Sequence, residues 1–373
     1  MEQREAATTY TNDTWRDRLR SSLVRHAGIA LMVIAVVAAA YAVSLSIGRP
    51  FNPGMVDVAS MMAALLLPPF LLIILIWRFV RMAAVVRPTD PIKFLLRDLR
   101  GLVPNFDCVL DGLVLLALLS LFLSSFSYLK DSIPNIEPFS WDPIFARMDR
   151  VLFFGHEPWR VLQPLFGSPL ATTVLNAAYN GWFFLMYFLM IAMAFYGKNQ
   201  ELRLSFAYGF MLTWSIGGVV LAILLSSAGP VYFERLGFGS EFAPLMASLH
   251  ANNEVYPVWS LDIQRALWQS YIGRHGVVSG ISAMPSMHIA NAVFFAAIGY
   301  RLGRAVGIGL TIFAAIIFIG SIHLGWHYAV DGIGGAAVAI VCWHLGCLLA
   351  RLDLQRHARL GCAMAIGIPG RSD

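Results

Sequence analysis

Charge is what this chain has least of. Asp, Glu, Lys and Arg make up only 13% of its 373 residues, about half the share usual in a soluble domain. That excludes a disordered chain and most soluble folds. Cysteine is scarce too: the four thiols, at 108, 342, 347 and 362, lack the spacing of a metal or redox site, and none is placed for an outer disulfide. There is no Gly-rich nucleotide loop, internal repeat or low-complexity tract. The 27 Lys plus Arg against 22 Asp plus Glu form no clustered basic face, which argues against a nucleic-acid partner.

What fills the chain instead is apolar. Hydrophobic residues reach 58%, with 15 Met, 10 Trp and 25 Phe, more than a water-facing surface carries without large apolar patches, so most of this mass has to meet lipid. Runs at 28–47, 58–77, 109–128, 171–195, 205–228, 286–303, 305–323 and 328–349 predict about eight spans. The expected fold class is all-α, a polytopic membrane helix bundle. The first run follows Arg16, Arg18, Arg20 and Arg25 and reads as a signal anchor rather than a cleaved leader.

Alternating the spans from an inside N-terminus places 19 of the 27 Lys and Arg inside and 8 outside, as the positive-inside rule requires. Both termini are expected in the cytoplasm of a bacterial inner (plasma) membrane, as tails 1–27 and 350–373. Two extra spans occupy 28–78. A core of six spans covers 109–349 and carries long extracytoplasmic segments at 129–170 and 229–285. Both segments mix Trp, Phe and Pro, a composition suited to the bilayer interface. Within the second, Ser260 as N-cap puts Ile263, Leu267, Trp268 and Tyr271 on one face of a helix, with interfacial packing favoured over a mobile lid.

Ionisable groups at span ends are the informative ones, because burying them in lipid is costly. Two clusters converge on the outer face. One is Ala283-Met284-Pro285-Ser286-Met287-His288; the other runs from His323 through Gly325-Trp326-His327-Tyr328 to Asp331. His327 and Asp331, at i and i+4, share a helix side, so the carboxylate can fix one ring nitrogen and leave the other as nucleophile. Pro285 and Ser286 at a helix start expose backbone amides for an anion, and His288 in the first turn can protonate a leaving oxygen. A nucleophilic histidine, an orienting carboxylate, anion-binding amides and an acid suit attack on a phosphate ester with no metal or other cofactor.

Bland readings weigh against this. A single His at a span end is usually a structural residue, but two His and one Asp at the same rim reverse the odds. Ligation of a metal by His288, His323, His327 and Asp331 loses ground because no acidic ligand accompanies His288. A transporter relaying protons or binding an ion through the His and Asp cluster is the alternative function, disfavoured because relays sit near mid-membrane. Asn176, Tyr179 and Asn180 read as interhelical hydrogen-bonding residues before a headgroup pocket. Asp111 reads as a structural group, and Gly332, Gly334 and Gly335 as close-packing residues.

Pro285-Ser286-Met287-His288 resembles the second signature of the type 2 phosphatidic acid phosphatase superfamily, usually Pro-Ser-Gly-His. His327-x-x-x-Asp331 resembles the end of its third. The longer stretch from Gly280 to His288, and Tyr328 after His327, are similar to the branch that contains inositol phosphorylceramide synthase and its bacterial relatives. The resemblance covers about 110–350 and implies a six-span catalytic core. It further implies a phosphohistidine mechanism in which His327 attacks phosphorus, Asp331 orients it, His288 protonates the leaving group and Ser286 helps to hold phosphate. The implied substrate is a lipid phosphate in the bilayer, with water or an alcohol such as inositol or a lipid as acceptor. One signature is missing. Where the hydrolases carry Lys-x6-Arg-Pro this chain reads Ala228-Gly229-Pro230-Val231-Tyr232-Phe233-Glu234-Arg235-Leu236, and Ser321 stands six residues before His327 in place of an Arg. The cationic duty is therefore expected of Arg235, Arg274 or protonated His323.

Overall fold

The computed structural model describes residues 14–54, 60, 62–101, 105–273 and 280–366. Among these there is no strand, and the all-helical polytopic bundle expected from the apolar runs is what the chain forms. In chain order the helices are α1 (Trp15–Arg25), α2 (Ala27–Ile47), α3 (Ala64–Val86), α4 (Pro91–Arg100), α5 (Phe106–Ile136), α6 (Asp142–Leu152) and α7 (Pro158–Phe166). Then come α8 (Pro169–Ala194), α9 (Gln200–Leu224), α10 (Ala243–Asn253), α11 (Trp259–Tyr271), α12 (Met287–Leu302), α13 (Arg304–His323) and α14 (Ala329–Ile366).

Their starts follow local chemistry. Asn105, Ser168, Asn199 and Ser286 each cap a helix by accepting a backbone N–H three residues on. Seven of the helices are long and apolar enough to cross a membrane: α2, α3, α5, α8, α9, α13 and α14. The remaining expected span, 286–303, is α12 with 16 residues. It is wrapped by α9, α13 and α14 and buried on nearly every side, with Ala290, Ala292, Phe294, Phe295 and Ile298 inaccessible. Protein rather than lipid surrounds it, so it needs no full bilayer length. The start of the expected span 58–77 lies outside the described residues. At the other end α14 continues past 349 to Ile366, so the segment expected as a tail begins as helix.

The packing is close where side chains are small. A Cβ on Gly346 would lie 2.6 Å from the Gly209 nitrogen, and one on Gly299 would lie 3.1 Å from the Gly307 Cα, so α14 meets α9 and α12 meets α13 almost backbone to backbone. Asp111 on α5 accepts from Ser22 and pairs with Arg25 and Arg203, tying α1, α5 and α9 at the end away from the two histidines. Leu31, Ile34 and Leu45 on α2 are exposed, as lipid-facing residues must be. The short helices α6 and α7 bury Phe145, Ala146 and Trp159 and expose Val151, Leu165 and the adjoining Phe154, the two-faced pattern of an interfacial helix.

Candidate active site

Six helix ends meet at one end of the bundle: the ends of α5, α9 and α13 and the starts of α8, α12 and α14. The segment after α9 fastens their loops. Ser227 accepts the backbone N–H of Ala283 at 2.9 Å through its carbonyl and that of Met284 at 3.1 Å through its hydroxyl. Val231 donates to the Gly325 carbonyl at 2.9 Å. Gly229 has φ +98°, and a Cβ there would stand 2.4 Å from the Trp326 carbonyl oxygen, so only glycine fits. The stretch from Ser227 to Val231 thus serves as backbone scaffolding.

From α6 two carboxylates reach the same loops. Asp142 accepts from the amides of Ala228 and Gly229 and from the Tyr328 hydroxyl at 3.0 Å. Asp149 accepts from the amides of Ala329 and Val330 at 2.7 and 2.9 Å, so it caps α14 from another helix. Burial raises both carboxyls, Asp149 to about 7 with the Asp331 charge adding to the effect, while the amides act against it.

His327 stands in the turn between α13 and α14. Its Nδ1 is 3.0 Å from the Ala283 carbonyl oxygen and 3.5 Å from Asp331 Oδ2. A carbonyl only accepts, so Nδ1 carries the proton and Nε2 keeps its lone pair. Burial is the main cause that pushes the imidazole down to about 3, and the nearby Lys130 charge adds to it. The ring is therefore neutral at pH 7. Asp331 also accepts the Tyr328 N–H at 2.9 Å through the same Oδ2. The shorter contact to His327 comes from a backbone carbonyl 44 residues away, a partner that side-chain spacing does not reveal.

His288 faces His327 with ring centroids 5.8 Å apart. It lies between Tyr179, stacked at 4.3 Å, and Trp182, tilted at 4.3 Å, so two aromatic faces hold its plane. Both histidines line one cavity of about 490 Å³ whose remaining walls include Phe183, Ile263, Leu267 and Trp326. Among the described residues that line it there is no Asp or Glu, and Lys130 is the one Lys or Arg. The positive end of α12 opens here at Met287 and His288.

The other sequence candidates lie elsewhere. Ser286 is fully buried and caps α12, and its own N–H donates to the Asp331 carbonyl at 2.9 Å. His323 is buried and bonded to Thr172 at 2.9 Å, off the cavity wall. Arg235 is exposed, with its guanidinium over Trp268 at 5.4 Å. Arg274 lies outside the described residues. Ser260 is not an N-cap: it lies inside α11, whose cap position is Val258, and the Ser260 hydroxyl accepts from Trp326 Nε1 at 3.2 Å. The face expected of that helix is present, with Ile263 and Leu267 roofing the cavity and Trp268 stacked on Tyr232. Asn176 bonds the backbone of Ser260 and the Asn180 amide. Gly335 packs as expected, since a Cβ there would lie 2.4 Å from the Ser286 carbonyl oxygen.

Sequence reasoning missed Trp182, Lys130 and the two α6 carboxylates. Tyr179 and Trp182 are i and i+3 on one helix, a spacing that announces a shared face. Lys130 ends an apolar run, a signal that counted only toward topology. Asp142 and Asp149 act across some 180 residues and left no local signal.

Seven apolar helices bundled around buried polar groups define a multi-pass membrane protein. A sequence model of the PAP2 superfamily matches residues 143–345, more than half of the chain and the stretch that holds both histidines and Asp331. The chain belongs to the PAP2 superfamily. Comparison with curated proteins and with solved structures finds no match to either.

Proposed function

We propose that this protein cleaves or transfers the phosphoryl group of a membrane lipid through a phosphohistidine at His327. The observation that carries the reading is the pair of imidazoles 5.8 Å apart on one cavity, with Nδ1 of His327 anchored on a carbonyl and Nε2 free of any partner among the described residues.

In the first step Nε2 of His327 attacks phosphorus, the bond to the ester oxygen breaks and His288 gives its proton to the leaving oxygen. Asp331 faces the developing imidazolium from 3.5 Å. In the second step water or an alcohol attacks the phosphorus, His288 takes its proton and the N–P bond breaks. Phe183, Ile263 and Leu267 give the cavity apolar walls suited to the tails of a substrate that stays in the bilayer. The Lys and Arg asymmetry supports an extracytoplasmic site. The resemblance of Gly280 to His288 to the inositol phosphorylceramide synthase branch, with Lys-x6-Arg-Pro absent, supports an alcohol such as inositol or a lipid as acceptor.

The test is purified protein in detergent with phospholipids, polyprenyl phosphates and ceramide, with and without inositol, following released phosphate and new phosphodiesters. Turnover without an ion gradient supports the proposal. Free phosphate alone makes the protein a hydrolase and a new phosphodiester makes it a transferase. No product from any lipid phosphate contradicts it.

A further inference from the structure

The proposed chemistry leaves one requirement open. A transferring phosphoryl group carries negative charge on its nonbridging oxygens, and some cation has to face it. Of the three groups the sequence offered, Arg235 covers Trp268, His323 is bonded to Thr172 and Arg274 lies outside the described residues.

Lys130, near the end of α5, reaches the cavity that holds His288 and His327. It has no hydrogen-bond or ion-pair partner among the described residues, which is unusual for a half-buried ammonium. Its neighbour Asp131 does not neutralise it. Successive residues on a helix point apart, and Asp131 pairs with Arg49 beside a separate cavity. The backbone also makes way for the lysine: Gly280 has φ +92°, and a Cβ there would lie 3.1 Å from Lys130 Cγ and 3.4 Å from Cδ. Between Gly280 and α5 the stem is confined, while among the described residues nothing compensates the ammonium and no carboxylate lines the cavity. Lys130, His288 and His327 line the same cavity, so one bound anion can meet all three.

Building on the phosphohistidine reading, we infer that Lys130 is the phosphoryl-binding cation of this site, in place of the absent Lys-x6-Arg-Pro pair. The ligand class is a phosphoryl anion, carried by a lipid headgroup or free as inorganic phosphate. Lys130 holds the nonbridging oxygens while His327 attacks, and it exchanges no proton. Because the described residues of the cavity supply this cation and apolar walls but no carboxylate, it selects anionic lipids over zwitterionic ones.

The experiment compares wild type, Lys130→Met, Lys130→Arg and Gly280→Ala in detergent, each checked for a monodisperse folded species. Three readouts are taken: kcat/KM for phosphatidic acid, inhibition by orthovanadate, and the thermal shift given by inorganic phosphate alone. Lys130→Met is expected to lose about 10²- to 10³-fold in kcat/KM, the usual cost of one charge-stabilising donor. It should weaken vanadate inhibition at least about tenfold, whereas Lys130→Arg keeps most of both. Should the methionine variant fail to fold, Gly280→Ala carries the test, since it keeps the ammonium but crowds its stem and is expected to weaken vanadate in the same sense. A phosphate-induced shift in wild type that Lys130→Met abolishes shows that free phosphate is itself a ligand; loss confined to the lipid arm assigns the lysine to the lipid headgroup alone. Wild-type turnover with unchanged kcat/KM and vanadate inhibition in Lys130→Met overturns the lysine assignment and leaves the phosphohistidine reading standing. Absence of turnover and of vanadate binding in wild type brings down both.

Discussion

The backbone N–H of Ser286 donates to the carbonyl of Asp331 at 2.9 Å. This one bond joins the two signature stretches, so the start of α12, which carries His288, is fixed against the first turn of α14, next to His327. The site is therefore a property of the α12 and α14 crossing as much as of the residues that display chemistry. Gly335 belongs to that crossing, where a Cβ would stand 2.4 Å from the Ser286 carbonyl oxygen.

Gly335→Ala is expected to push the two helices apart and cost about 10²-fold in turnover, because a misplacement of about 1 Å at a reacting centre is enough for that. Gly309→Ala on α13, where nothing lies within 4 Å of the added Cβ, serves as control and should leave the rate unchanged. Phosphate release from a lipid substrate by the two folded variants decides it. Equal rates would show that the crossing does not set the geometry.

Asp149 links stability to pH. Burial raises its carboxyl to about 7 in the fold, while in the unfolded chain it titrates near 4. Between those values the folded state holds a proton that the unfolded state has lost. The contribution of this group is full below about pH 4 and disappears as pH rises through about 7. Wild type in detergent should therefore lose thermal stability over that interval, and Asp149→Asn, which cannot titrate, should show a flatter profile. Asp149→Ala, which strips two buried amides at the start of α14 of their acceptor, is expected to cost about 1–3 kcal/mol. Thermal midpoints across pH 4 to 8 check all three, and parallel profiles for wild type and Asp149→Asn would remove the linkage.

His288 as general acid makes a prediction about leaving groups. His288→Ala is expected to lose about 10²–10⁴ on lipid esters and much less on an aryl phosphate, whose phenolate leaves without a proton. Parallel assays on the two substrates decide it, and an equal loss on both would contradict the acid role. The clamp of Tyr179 and Trp182, at 4.3 Å on either side, means that the fold of the variant has to be verified.

Much of this was legible in the sequence. Apolar runs announce the spanning helices because each must satisfy its own backbone in lipid. His288, His327 and Asp331 stand out because ionisable groups at one rim are rare. Other features were hidden for physical reasons. The run 286–303 did announce α12, but not that neighbouring helices would shield its 16 residues from lipid. Asp142, Asp149 and the Ala283 carbonyl act through backbone groups far away in sequence, where no periodicity points. Arg235 and His323 were nominated because a cation was missing; each has a local partner instead, in Trp268 and Thr172. Ser260 misled by two positions, since the cap position is Val258 and the Ser260 hydroxyl meets Trp326 rather than its own helix start.

The central claim is a transient bond from Nε2 of His327 to phosphorus. The direct measurement is an acid-sensitive, base-stable radiolabel on the protein after rapid mixing with a lipid carrying labelled phosphate, mapped to its peptide. Label on the peptide that contains His327, absent from His327→Ala and discharged by water or an added alcohol, is the result predicted here. Turnover with no protein-bound label at any time, or label that persists in His327→Ala, would contradict it.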